Sequence, residues 1–157
     1  AERLDPAGAI YFIMDEADVR RVLAFPRAMI GSDGLPHDSH PHPRLWGTFP
    51  RVLGHYARDL GLFPLEEAVR RMSGFPAAQF GLTGRGVIRE GAYADLVLFN
   101  AEQIIDRATF EDPVQPAAGI AMVMVNGRLT WQDGEHAGSR AGRALRLASL
   151  GPTGLDS

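Results

Sequence analysis

Apolar positions along the chain fall into two regimes that meet near Gly84. Before it, short apolar runs alternate with stretches of helical periodicity. Ala9-Ile10-Tyr11-Phe12-Ile13-Met14 is a run of strand formers and reads as a buried strand. Asp15 follows as an N-cap, with Glu16 and Asp18 in the first turn. Val19, Val22 and Leu23 recur at helical spacing, which predicts a helix over 15–24, closed by Pro26. Ala28-Met29-Ile30 predicts a second buried strand that ends on Gly31-Ser32-Asp33-Gly34. A loop dense in His, Pro, Asp and Gly fills 34–47. Thr48 caps the next predicted helix, with Pro50 in its first turn and Val52, Leu53, Tyr56 and Leu60 on its apolar face. Pro64, Glu66 and Glu67 open another, and a short helix around 76–80 ends at Gly81.

After Gly84 the period shortens. Val87-Ile88, Leu96-Val97-Leu98-Phe99, residues 120–125 and Leu129-Thr130-Trp131 are short strand-like runs separated by turn signals. Asn126-Gly127 between two such runs predicts a β-hairpin. Trp131, Met122 and Met124 read as core of the β layer. The tail from Ser149 is rich in Gly, Pro and Ser and is expected to fray. Two lone strands cannot form a covered parallel sheet, so the β/α part either pairs with other sequence or packs unusually.

Composition narrows the chemistry. With 157 residues, 45% of them hydrophobic and 22% charged, the chain suits about one globular domain. The net charge of −3 argues against a nucleic-acid partner. No apolar run approaches the roughly 20 residues that span a bilayer, and no leader pattern follows Ala1, so a cytoplasmic, non-membrane protein is expected. There is no Cys, and all 16 basic residues are Arg. Thiolate nucleophiles, Cys-ligated metals, lysine Schiff bases and a P-loop lysine are thereby excluded within these residues.

Carboxylate, imidazole, hydroxyl and guanidinium remain. Asp33 stands just past a strand-like run between glycines that permit a sharp turn, the place where α/β folds gather catalytic groups. The local pattern leaves two readings open, a catalytic carboxylate or a turn-forming Asp. His37, Asp38, His40 and His42 crowd the following loop, but their spacing matches no zinc motif and also suits a solvated polar loop. Arg44 offers a planar fork for a carboxylate; it also suits pairing with Asp38 or stacking on Trp46. His55 and His136 read as packing or surface residues.

Gly31-Ser32-Asp33-Gly34-Leu35-Pro36, followed by His42-Pro43-Arg44 and Trp46-Gly47-Thr48-Phe49-Pro50-Arg51-Val52-Leu53-Gly54, resembles the N-acyl-D-amino-acid deacylases (D-aminoacylases) of the amidohydrolase superfamily. The resemblance continues through Leu65-Glu66-Glu67-Ala68-Val69, Gly86-Val87-Ile88-Arg89-Glu90-Gly91, Tyr93-Ala94-Asp95-Leu96-Val97, Thr109-Phe110-Glu111-Asp112-Pro113, Val125-Asn126-Gly127 and Gly142-Arg143. It implies an α/β fold: the last β/α units of a metal-dependent (β/α)8 barrel, then the C-terminal part of a small β-sandwich. On that scheme 1–82 belong to the barrel, 83–148 to the sandwich and 149–157 to a flexible tail. A barrel takes about 250 residues, so the resemblance makes this chain a C-terminal portion.

The resemblance further implies hydrolysis of N-acyl-D-amino acids to a carboxylate and a D-amino acid by zinc-activated water. Asp33 matches the proton-handling Asp after the eighth barrel strand and is the expected metal contact. Arg44 matches the residue that holds the substrate's α-carboxylate, with Ser32 and Gly34 beside it as substrate contacts. The family's His-x-His and its further His and Cys ligands have no counterpart here. The chain alone is therefore expected to be inactive, and the remainder of the barrel and sandwich are its implied partners. A different class of function, a non-catalytic binding module that uses the 33–44 loop, is the alternative.

Overall fold

Residues 10–145 are described by a computed structural model of the chain. Helix α1 (Glu16–Ala24) begins where the Asp15 carboxylate accepts the Ala17 N–H at 2.8 Å, the capping expected from its sequence. Helix α2 (Arg44–Arg51) runs without a break into a π-helical turn, Val52–Asp59. Pro50 removes one N–H inside α2, and beyond it the winding is looser, with Leu60 N donating to His55 O at 2.9 Å, five residues back. Helix α2 starts at Arg44, five residues earlier than a Thr48 cap predicts. Thr48 is inside it and donates its hydroxyl to the Arg44 carbonyl at 2.8 Å rather than capping an N-terminus. Helices α3 (Leu65–Met72) and α4 (Gly74–Gln79) follow.

The second part is a four-stranded antiparallel sheet in the order β1 (Leu96–Phe99), β2 (Ile120–Val125), β3 (Arg128–Gln132), β4 (Glu135–His136). Asn126 and Gly127 both have positive φ, 48° and 76°, the two-residue geometry whose twist suits a hairpin. Val125 pairs with Arg128 across it, as the sequence predicts. Asp133 and Gly134 make the same kind of turn between β3 and β4.

The core is built mainly by the helices. Val52, Leu53, Tyr56, Ala57, Phe63, Ala68 and Ile104 are buried together, flanked by Val19, Leu23, Ile30, Phe99 and Ile120. A side chain at Gly54 would run into the Ile104 carbonyl, so glycine lets the π-helical turn lie directly on the 100–105 bend. Arg58 fastens that bend through the same carbonyl at 2.8 Å. Arg71 is a buried cation, 3% exposed; it is held by Glu67 at 2.6 Å, by the Leu23 carbonyl and by the Phe63 ring at 4.8 Å. A buried charge is tolerable only when paired in this way.

Three expected strands do not form. Ile10–Met14, Ala28–Ile30 and Val87-Ile88 have no ladder partner among the described residues, and Ile13 is 84% exposed. A strand needs a neighbour for its N–H and C=O groups, and local hydrophobicity cannot supply one. The 28–30 stretch is instead tied to α3, with Ile30 N donating to Arg71 O at 3.2 Å. Met122, Met124 and Trp131 are half-buried rather than core. Between helices and sheet lies a wide apolar cleft of about 960 Å³, lined by Trp46, Phe49, Val123 and Trp131 among others. The expected tail, 149–157, lies outside the described residues. No helix among the described residues is long and apolar enough to cross a membrane.

Candidate active site

Gly31-Ser32-Asp33-Gly34 follows the segment anchored on α3 and turns sharply at Asp33, whose φ is +49°. That left-handed conformation is uncommon for a residue other than glycine, although Asp tolerates it better than most. Ser32 supports the turn locally, its hydroxyl oxygen accepting the Gly34 N–H at 3.2 Å. Gly34 then passes hard against the start of α2, leaving no space for a side chain beside Leu45.

The turn brings Asp33 and Arg44 together from eleven residues apart. Arg44 Nη2 lies 2.9 Å from Asp33 Oδ2, and Arg44 Nε donates to the Asp33 carbonyl at 2.8 Å. One guanidinium thus grips both the carboxylate and the backbone of the same residue. Neither partner is enclosed: the side chains are 80% exposed for Asp33 and 38% for Arg44. The pair is open to an incoming solute, and a solvent-exposed ion pair of this kind costs little to exchange for another. The pairing of Arg44 with Asp38 considered from sequence does not occur.

The histidines of the loop divide by environment. His42 accepts the Arg44 backbone N–H on Nδ1 at 3.0 Å and so caps α2 from two residues before it. Burial lowers its proton affinity below the usual imidazole value, Arg44 adds to that shift, and Asp33 partly opposes it. His40 Nε2 lies 2.8 Å from the Phe110 carbonyl. His37 and Asp38 are exposed. His55 stacks edge-on against Tyr56, with centroids 4.9 Å apart, and His136 accepts the Gly138 N–H.

Among the described residues no three His, Asp or Glu side chains stand close enough to hold a metal ion. Asp33 is engaged by Arg44, and His40 and His42 have backbone partners. The donors present do not by themselves make a zinc site, which commonly takes three protein ligands and a water.

A residue that sequence reasoning left without a role stands at the edge of this site. The Phe110 ring packs edge-on against His42, with centroids 5.2 Å apart, and against Phe12 at 4.9 Å. Its signal was present in Thr109-Phe110-Glu111-Asp112-Pro113, which carried the resemblance, but 70 residues separate it from His40.

The family is that of the amidohydrolases. Residues 2–131 match the Amidohydrolase family, and the chain belongs to that family. Within it the chain is 65% identical over 142 residues to the D-aminoacylase of Alcaligenes xylosoxydans xylosoxydans, covering 90% of this chain and 29% of that protein. Among solved structures, a crystal structure of D-aminoacylase superposes with a TM-score of 0.87 at 64% identity, covering 89% of this chain and 30% of the other. N-acyl-D-glutamate deacylase from Bordetella bronchiseptica, complexed with zinc and a phosphonate mimic of the reaction's tetrahedral intermediate, superposes with a TM-score of 0.85 at 51% identity, covering 92% and 30%. The chain therefore spans about 30% of the length of the relatives it matches. These similarities give no support to a free-standing binding module.

Proposed function

We propose that these residues form part of an N-acyl-D-amino-acid deacylase, in which Asp33 carries the proton and Arg44 holds the substrate's α-carboxylate. The observation that carries the reading is the 2.9 Å approach of Arg44 to Asp33 on one exposed loop. In an N-acyl amino acid a single carbon separates the carboxylate from the amide nitrogen. A clamp for the first and a proton carrier for the second must then be neighbours, as these two side chains are.

Substrate entering the site exchanges its own carboxylate for that of Asp33 on the Arg44 fork, a bidentate grip that Arg provides and Lys does not. Asp33 is thereby released toward the amide. Water adds to the carbonyl carbon and gives one proton to the Asp33 carboxylate. The C–N bond breaks, and Asp33 returns that proton to the departing nitrogen. The acid so formed gives its remaining proton to the freed amine, and the products are a carboxylate and a D-amino acid. Ser32 and Gly34 shape the turn on which Asp33 stands and face the same substrate. Zinc belongs to this reading, with Asp33 as the contribution of this chain and the other donors outside it. On the same reading 1–82 complete a barrel and 83–148 a β-sandwich, whose remaining parts cover the apolar 10–14 segment and the cleft.

Asp33→Ala in the full-length enzyme is expected to lower kcat by at least the roughly 10²- to 10⁴-fold typical of a general acid–base group. The folded state, followed by circular dichroism, should be unchanged. Turnover within tenfold of the parent would remove Asp33 from the chemistry.

A further inference from the structure

We propose that Phe110 is a positioning residue for the Arg44 clamp, acting from the 106–116 excursion of the β part through His42. The inference rests on the deacylase reading of Arg44 given above.

Arg44 is the first residue of α2, so the direction in which its side chain leaves depends on how that helix begins. Pro43 precedes it and offers no side-chain hydrogen bond to cap the turn. The cap comes from His42, whose Nδ1 accepts the Arg44 N–H at 3.0 Å. An imidazole serves in this way only while its ring is held edge-on to that N–H. Phe110 supplies the hold: its ring meets His42 at 78° with centroids 5.2 Å apart, an edge-to-face contact. Phe12 also packs against the Phe110 ring, with centroids 4.9 Å apart at 66°.

Phe110 also engages the loop through its backbone, since its carbonyl is the partner of His40 Nε2 at 2.8 Å. One residue thus holds both histidines that bracket the buried Pro41, on the stretch that leads into Arg44. The residue is itself in a closed turn. Asp112 N donates to Thr109 Oγ1 at 3.0 Å, and Thr109 N donates to the Asp112 carbonyl at 3.1 Å. A rigid turn bearing an aromatic knob, pressed on the capping histidine of the clamp helix, is a support and not a substrate contact.

A support of this kind acts on how well the clamp is placed. The α-carboxylate is held equally in substrate and transition state, so loss of placement raises KM and leaves kcat nearly unchanged. A misplacement of tenths of an ångström in the full-length enzyme is expected to raise KM for an N-acyl-D-amino acid roughly tenfold in Phe110→Ala. Phe110→Tyr keeps the ring and should restore the parent KM. Phe110→Leu keeps apolar bulk without the ring edge and should raise KM as well; it carries the test if the alanine variant does not fold.

Arg44→Lys supplies the second arm. It should raise KM on its own, and Phe110→Ala added to it should change KM by less than about twofold, because residues acting through one contact are not additive. If Arg44→Lys raises KM but Phe110→Ala and Phe110→Leu only lower the melting temperature, Phe110 is structural and the inference falls while the clamp stands. Full additivity in the double variant also overturns it, since Phe110 would then not act through Arg44. If Arg44→Lys leaves KM unchanged, the clamp reading fails and takes the inference with it.

Discussion

A side chain added at Gly34 would place its Cβ 2.8 Å from Leu45 Cδ1 and 2.9 Å from Leu45 Cα. The first atom belongs to a side chain that can turn away, but the second is backbone in the opening turn of α2. Gly34→Ala must therefore push the start of the helix, and with it Arg44, away from Asp33. We expect a loss of about 1–3 kcal/mol of stability, the usual scale for overpacking, together with a raised KM in the full-length enzyme. Denaturant unfolding and steady-state kinetics check the two effects; unchanged values in both would mean that α2 yields without cost. The candidate site was legible at this scale in its residue types. Asp33, Arg44, Ser32 and Gly34 stand in one short stretch, and the resemblance gives each a role. Two features escaped. The direct grip of Arg44 on Asp33 depends on a positive φ at Asp33, which no residue pattern announces. Phe110 reaches the loop only through tertiary folding.

Local signals placed the helices well, because a helix closes its own hydrogen bonds within a few residues. The Asp15 cap, the acidic first turn of α3 and the 3.6-residue spacing all act within one element. The start of α2 was misplaced because its cap is an imidazole two residues upstream rather than the hydroxyl of Thr48. The hairpins were legible for a similar reason, since Asn126-Gly127 fixes both turn and register locally. The segments 10–14, 28–30 and 87–88 find no ladder partner among the described residues, as a ladder depends on what lies alongside. Helix α3 carries a prediction of its own. Glu67 accepts from Arg70 Nε at 2.6 Å and from Arg71 Nε at 2.6 Å. These bonds, that of Arg70 foremost, hold its carboxyl at about 2 against an ordinary value of 4.5. The folded state thus prefers the carboxylate, so its contribution is present above about 4.5 and is lost as pH falls from there through about 2. Glu67→Gln should lower the melting temperature at neutral pH and flatten its decline across that acid window. A variant whose acid limb runs parallel to the parent's would show that the pair contributes nothing to acid sensitivity.

At the scale of the molecule, the described residues pair a well-packed helical core with surfaces that ordinary globular proteins cover. Tyr11, Phe12, Ile13 and Met14 are exposed in succession, and the cleft between helices and sheet is lined by large apolar side chains. Contiguous apolar surface of this kind marks an interface, in keeping with a chain that matches about 30% of its relatives' length. The chemistry has the same incompleteness. A catalytic zinc commonly takes three protein donors and leaves its fourth position to water, whereas no group of three donors occurs among the described residues. Asp33 is paired with Arg44; His40 and His42 are held by the Phe110 carbonyl and the Arg44 N–H. Gathering His37, His40 and His42 around an ion would break the cap of α2 and the tie to Phe110, so a makeshift site competes with the fold itself. The 157-residue chain purified alone is therefore expected to lose zinc on dialysis, to show no turnover of N-acyl-D-amino acids with added zinc, and to self-associate through its apolar faces. Metal analysis after dialysis, a deacylase assay and size-exclusion chromatography measure the three in one preparation. Stoichiometric zinc with measurable turnover from a monodisperse monomer would mean that the loop histidines build a complete metal centre, and the division of labour proposed for Asp33 and Arg44 would have to be redrawn around them.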